Sequence, residues 1–257
     1  VHPSGHASDS VSVALGLAMA RDLNGGDEKI VTIIGDASLS GGMAFEALNQ
    51  LGQLQTPMVI ILNDNEMSIS RNVGALARYL GEKRASREYT RTRDSVQSVL
   101  EASGPLGRGL VDLGRNAKDS FKQMVIPGEM LFEKLGITCT APIPGHDIAA
   151  LKRALRVCLE ADGPTLLHVV TKKGKGYEPA EKNPSKFHGI GPYDIATGEV
   201  KKGSSSAPKY TSVFSKAIVA EAERDHDIVA ITAAMKDGTG LAAFSEKFPK
   251  RFIDTGI

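Results

Sequence analysis

Apolar residues follow two rhythms along this chain. From Ile30 to Ile34 and from Met58 to Leu62 apolar and β-branched residues run together, the pattern of short strands buried on both faces of a parallel sheet. Between them Met43, Phe45, Ala47, Leu48, Leu51 and Leu54 recur at helical spacing behind Gly41 and Gly42, and Pro57 closes the loop. Strand, helix, strand in that order predicts a βαβ unit with its two strands side by side and parallel. Each strand runs out into polar residues, Gly35-Asp36 after the first and Asn63-Asp64-Asn65 after the second. The geometry therefore brings Asp36 and Asn65 to one carboxyl edge of the sheet, where open α/β sheets bind ligands.

The same two rhythms organise the rest. Val11, Ala14, Leu15, Ala18 and Met19 predict a helix that starts near Ser8, Asp9 and Ser10, all possible caps, and stops at Asn24-Gly25-Gly26. A short helix containing Met130, Leu131, Phe132 and Leu135 precedes a strand over 137–141. Asp147 opens an amphipathic helix (Ile148, Leu151, Leu155, Val157, Leu159), and 165–171 is the next buried strand. Strands separated by helices predict the α/β class, a doubly wound parallel sheet. Residues 71–122 interrupt the pattern with charged helical and irregular pieces, among them EKRASREYTRTRD at 82–94, and are expected to form a mobile insertion without catalytic residues. GSSSAP at 203–208 is the clearest linker. Beyond it the pattern predicts a helix over 210–224, a strand over 227–232, a short helix over 242–248 and a strand from 251 to the end. The expected layout is a domain over 1–200, a linker over 201–209 and the start of a second α/β domain over 210–257.

Composition narrows the function. Basic and acidic residues number 31 and 30, a formal net charge of +1, which provides no global field for nucleic acid or for a membrane. The two cysteines, Cys139 and Cys158, have no metal-ligand or CxxC spacing and are expected as buried thiols of a cytoplasmic protein. No apolar run is long enough to span a membrane, and VHPSGHAS at the amino terminus has no signal-peptide pattern.

The chemistry of the predicted edge follows from its donors. A carboxylate and an amide carbonyl, with no Cys or His cluster beside them, suit a hard cation such as Mg²⁺, which takes few protein oxygens and completes its shell with phosphate oxygens and water. The turn Gly35-Asp36-Ala37-Ser38 leads toward a helix and could offer backbone N–H groups to the same anion. The plainer alternative is that Asp36 caps the helix and Asn65 occupies a turn. His6 stands just ahead of a helix start, a place for a phosphate or simply for a surface loop residue. Met67, in a segment with no charge suited to catalysis, reads by itself as a buried residue that fills a gap. His168 lies within a strand and is expected as a core histidine bonded to backbone, and His146 as a cap at a strand-to-helix turn. The basic, glycine-containing segment 171–177 leaves its strand at the same edge, although neither GxxxxGK[ST] nor GxGxxG occurs. Taken alone, His188 in its Pro- and Gly-rich loop reads as a surface residue.

The GD…NDN arrangement resembles the thiamine diphosphate motif of the transketolase superfamily. GGMAFEALN and ILNDNEMSIS are similar to the 1-deoxy-D-xylulose-5-phosphate synthase family in particular, together with GHAS at 5–8, VIPG at 125–128, LFEKLGI at 131–137, GHD at 145–147, TKKGKGYEPAEKNP at 171–184 and FHG at 187–189. The likeness covers nearly the whole chain and is weakest over about 78–122. It departs from the motif at Ala37, where the family usually has Gly. The resemblance implies thiamine diphosphate and Mg²⁺ as cofactors, with Asp36, Asn65 and the carbonyl of Met67 on the metal. It implies Gly5, His6, Ala7, Asp36, Ala37, Ser38, Asn65 and Tyr177 around the cofactor, and His188 at the reacting centre. It further implies pyruvate and glyceraldehyde 3-phosphate as substrates and a homodimer when complete. The glutamate that activates the aminopyrimidine in this superfamily would follow the segment 252–257, and pocket histidines would precede position 1. The resemblance thus implies an internal piece, a diphosphate-binding domain with the start of a pyrimidine-binding domain, that turns over little or nothing alone. Two alternatives stay open: another transketolase-like enzyme, and a non-catalytic half-subunit that binds cofactor or a partner.

Overall fold

The computed structural model describes residues 2–3, 5–65, 75, 131–184, 186–200 and 207–256. The described residues fall into two compact units, one reaching Thr171 and the other continuing from Lys172.

The first unit is built on a parallel sheet. Helix α1 (Ser10–Leu23) leads to β1 (Val31–Gly35), a 3₁₀ turn over Ser38–Ser40, α2 (Gly42–Leu54) and β2 (Val59–Asp64). After α3 (Leu131–Lys134) come β3 (Thr138–Cys139), β4 (Ile143–Pro144), α4 (Ile148–Leu159) and β5 (Thr165–Val170). The strand order is β1-β2-β5-β3, with β4 also on β5, and every pairing is parallel. Val31 pairs with Val59 and Gly35 with Asn63, while Leu62 pairs with His168, so the three strands end at one edge.

Strand alternation sends the side chains to two cores. On one face Ile34, Ile60, Leu62 and Leu166 pack with Val11, Leu15, Leu48, Leu51 and Phe132 from α1, α2 and α3. On the other, Val59, Leu167, Val169 and Ile143 pack with Ala150, Ala154 and Cys158 of α4. Helices on both faces of a parallel sheet are the doubly wound arrangement.

Three expectations change in detail. β1 is not buried on both faces: among the described residues it is an edge strand, and Val31 and Ile33 are 40% and 65% exposed. The strand expected over 137–141 is shorter, Thr138–Cys139, and a second short strand, Ile143–Pro144, follows Pro142, which has no N–H for the ladder. The helices also turn slightly from the expected faces: Ala44 rather than Met43 is buried on α2, and α4 faces the sheet through its small residues Ala150, Ala154 and Cys158.

The second unit contains α5 (Glu178–Lys182), α6 (Tyr210–Arg224), β6 (Ala230–Thr232), α7 (Ala242–Lys247) and β7 (Phe252–Asp254), with β6 and β7 parallel. Its core gathers Ala222, Ala230, Leu241 and Phe244. Residues 71–122, except Ala75, lie outside the described residues, as do the segment VIPG and most of the expected linker, 201–206. Among the described residues no helix is long and apolar enough to cross a membrane.

Candidate functional site

Two polar positions follow directly from the ends of neighbouring strands. Asp36 comes one residue after β1 and is buried, and Asn65 comes one residue after β2. The backbone N–H of Asp36 donates to the carbonyl of Asn63 at 3.3 Å, so the β1–β2 pairing extends into the turn that carries the carboxylate. One N–H of that turn is therefore held by the sheet. Ala37 has φ −66° and ψ −46°, ordinary helical backbone, and the turn accepts an alanine there without strain.

The loop at the amino terminus reaches the same turn. Ser8 donates from Oγ to the Ser38 carbonyl at 2.7 Å. Its φ is +72°, a left-handed conformation uncommon for a residue other than glycine and typical of places where a loop is held for a purpose. Gly41 makes this approach possible, since a Cβ there would lie 2.1 Å from Ser8 Oγ. His6 and Ser8 then share with Gly35 and Ser38 a cleft of about 660 Å³ along β1. Gly5 and Ala7 are exposed in the same loop. A smaller cleft of about 270 Å³, lined by Arg21, Asp22, Glu28 and Pro57, lies where β1 and β2 begin, opposite to Asp36.

Beneath the edge is a polar network that the sequence did not reveal. Asp64 and His168 are fully buried, and His168 Nε2 lies 2.9 Å from Asp64 Oδ2. His168 is thus a core histidine as expected, and its ring meets a buried carboxylate. Its own backbone N–H donates to Thr140 Oγ1 at 3.1 Å, where the β3–β4 interruption leaves a side chain to take the place of a ladder carbonyl. Thr171 donates from Oγ1 to Asn63 Oδ1 at 2.7 Å and from its N–H to the Asp64 carbonyl at 2.8 Å. The one signal in the sequence was a carboxylate between two asparagines at a strand end, with a histidine inside the strand that pairs with it.

His146 is exposed at the turn after β4, and its neighbour Asp147 is the cap, accepting from the Ala150 N–H at 2.9 Å. Gly145 permits this tight turn beside β5, because a Cβ there would come within 2.5 Å of the Thr171 side chain.

Tyr177 and His188 belong to the second unit. The Tyr177 hydroxyl donates to the Ile195 carbonyl at 2.8 Å. Its ring meets Phe187 edge-on and Tyr193 at a tilt, with centroids 5.6 and 5.9 Å away, a cluster that stiffens the loop. His188 Nδ1 accepts from Lys173 Nζ at 2.5 Å. Partial burial, and then the Lys173 ammonium, hold the imidazole below its usual pKa. Lys172 pairs with Glu181, whose other oxygen accepts the Gly176 N–H at 2.8 Å; Lys172 and then this N–H keep its carboxyl below the usual range.

The donor set suits the ion expected of it. Among the described residues no cluster of three or more His, Cys, Asp and Glu gathers to hold a metal. One carboxylate and one amide at the strand ends are oxygen donors of the kind a hard cation takes when a ligand supplies most of its shell. Met67 lies outside the described residues.

The family model of 1-deoxy-D-xylulose-5-phosphate synthase matches residues 1–171, and that of the transketolase pyrimidine-binding domain matches residues 206–257. Proteins named 1-deoxy-D-xylulose-5-phosphate synthase from Desulforudis audaxviator, Natranaerobius thermophilus and Pelotomaculum thermopropionicum are 52%, 50% and 49% identical over 99% of this chain. The chain spans about 40% of the length of these curated relatives. With a matched family model over most of its length and half its residues shared with such relatives, the chain belongs to the 1-deoxy-D-xylulose-5-phosphate synthase family.

Proposed function

We propose that the first unit holds the Mg²⁺-bound diphosphate of thiamine diphosphate, and that the whole protein transfers a two-carbon unit from pyruvate, with decarboxylation, to glyceraldehyde 3-phosphate. The product is 1-deoxy-D-xylulose 5-phosphate. The observation that carries the reading is the placement of Asp36 and Asn65 at the carboxyl ends of adjacent parallel strands, joined through the Asp36–Asn63 backbone bond. Asp36 supplies the charged oxygen, Asn65 its side-chain carbonyl and Met67 its backbone carbonyl to the metal. The loop Gly5-His6-Ala7 and the turn Ala37-Ser38 flank the diphosphate, supported by the bond from Ser8 to Ser38. The cofactor, when bound, supplies the reactive carbon and the electron sink, and the protein's part is to bind, orient and exclude water.

Tyr177 adjoins the cofactor through its ring, since its hydroxyl is held by Ile195. His188 meets the substrate as a neutral imidazole: Lys173 occupies Nδ1, so the proton resides on Nε2. In this reading 210–257 opens the pyrimidine-binding domain, the protein works as a cytoplasmic homodimer, and its product feeds isoprenoid and thiamine synthesis.

The test is calorimetric titration of the 257-residue chain with thiamine diphosphate, with and without Mg²⁺. Binding should require Mg²⁺, and Asp36→Ala should weaken it beyond about 100-fold, more than the loss of an outer-shell partner costs. A folded chain that does not bind, or that binds equally well without the Asp36 carboxylate, would overturn the proposal.

A further inference from the structure

We infer that the buried Asp64–His168 pair is a positioning device for the metal-diphosphate site, fixing the end of β2 so that Asn65 stands opposite Asp36. The inference rests on the reading under Proposed function, and it concerns two residues that touch neither metal nor diphosphate in that reading.

Asp64 and His168 are 0% and 1% exposed on a sheet face that they share with Ile34, Ile60, Leu62 and Leu166. A carboxylate there is costly to desolvate, and two well-packed apolar residues would stabilise the sheet as well or better. What the pair adds is direction. The 2.9 Å contact between Nε2 and Oδ2 ties β2 to β5 at a defined register, which apolar contacts do not specify so narrowly.

Alternation makes the tie two-sided. Asp64 and His168 fall on the α1–α2 face with Leu62 and Leu166, whereas Asn63 and Thr171 fall on the α4 face with Val169. The Asn63–Thr171 bond of 2.7 Å holds that face, the Asp64–His168 contact holds the other, and the Thr171 N–H to Asp64 carbonyl bond of 2.8 Å lies between them. Asn65 is the next residue. The Asn63 carbonyl, in turn, accepts the Asp36 N–H, so the backbone that carries both proposed ligands is anchored through this one short stretch. His168 is itself held from behind, its N–H on Thr140 Oγ1. Outer groups that orient ligands in this manner commonly affect metal binding as much as tenfold to 100-fold.

The experiment is a set of substitutions at His168 read by calorimetric titration of the 257-residue chain with thiamine diphosphate at saturating Mg²⁺. His168→Gln keeps an N–H donor near the position of Nε2, and should bind within about threefold of the unaltered chain. His168→Asn, too short to reach Asp64, and His168→Leu should bind about 10- to 100-fold more weakly. If His168→Leu does not fold, the contrast between Gln and Asn, equally polar and differing in reach, still decides. In the ligand-free chain the Asn65 backbone amide resonance should move in His168→Asn and return in His168→Gln, which a general loss of stability would not reproduce. A folded His168→Asn that binds as the unaltered chain does, while Asp36→Ala fails to bind, would overturn this inference alone. Failure of the unaltered chain to bind would overturn the functional reading and this inference with it.

Discussion

At the scale of single residues, the two histidines of interest differ in surroundings more than in sequence context. His188 is exposed at a loop, yet partial burial of its ring and then the Lys173 ammonium lower its pKa. In an unfolded chain it would titrate near the ordinary value, about 6.5. The folded form therefore binds fewer protons just below that pH, and the stability contributed by neutral His188 is present above it and lost as pH falls toward the folded pKa. We expect the His188 ring resonances to titrate with a midpoint below 6.5 in the chain, and Lys173→Met to raise that midpoint; a midpoint unmoved by the substitution would show that burial alone sets it. In the proposed role of His188 this lowering favours the neutral ring near physiological pH. Sequence placed His188 only through family likeness, because a lysine fifteen positions earlier carries no visible sign of folding back onto it. Asp36 and Asn65, by contrast, were legible from strand ends alone, and His168 was legible as a core residue but not as the partner of Asp64. Pairing across strands separated by 104 positions depends on strand order, which periodicity does not provide.

At the scale of elements, the βαβ unit and the helix 210–224 were readable because hydrophobic spacing and breakers agree there. The errors in the helix faces have a common cause: periodicity marks large apolar residues, whereas the closest contact to a sheet is made by small ones. On α4, Ala150, Ala154 and Cys158 touch the sheet, Leu151 and Leu155 flank them, and Ile148 stays largely exposed. The misreading of β1 has a different source, since an edge strand and a central one can share the same apolar run. Helix α4 also shows what its start contributes. Asp147 accepts the Ala150 N–H, so Asp147→Ala should destabilise the first unit by about 1 kcal/mol and Asp147→Asn by a few tenths. Chemical denaturation with unchanged slope would measure this, and equal losses from both substitutions would indicate that charge, rather than the cap bond, was responsible.

At the scale of the whole molecule, the separation of the cores has consequences for cooperativity. The sheet of the first unit is packed on both faces by clusters that contain Leu48, Leu51, Phe132, Ala150 and Cys158. The core of the second unit centres on Phe244 and Leu241, with Ala222 and Ala230 against them. Phe244 is fully buried and stacks at an angle on Phe248, 5.2 Å between centroids, and Arg251 lies over Phe248 while donating to the Ala222 and Asp225 carbonyls. Removal of the Phe244 ring should therefore cost about 3–5 kcal/mol of local stability. A core as small as this one has little to lose before it opens. We expect Phe244→Ala to abolish amide hydrogen-exchange protection across α6, β6 and β7, while protection in β2 and β5 remains within about tenfold of its original value, as it would for units that open separately. Exchange read by mass spectrometry on peptides from 59–64, 165–170 and 210–254 distinguishes the outcomes. If protection falls in all three peptides together, the two units unfold as one, and the diphosphate binding proposed for Asp36 and Asn65 would depend on the integrity of a core that contains neither.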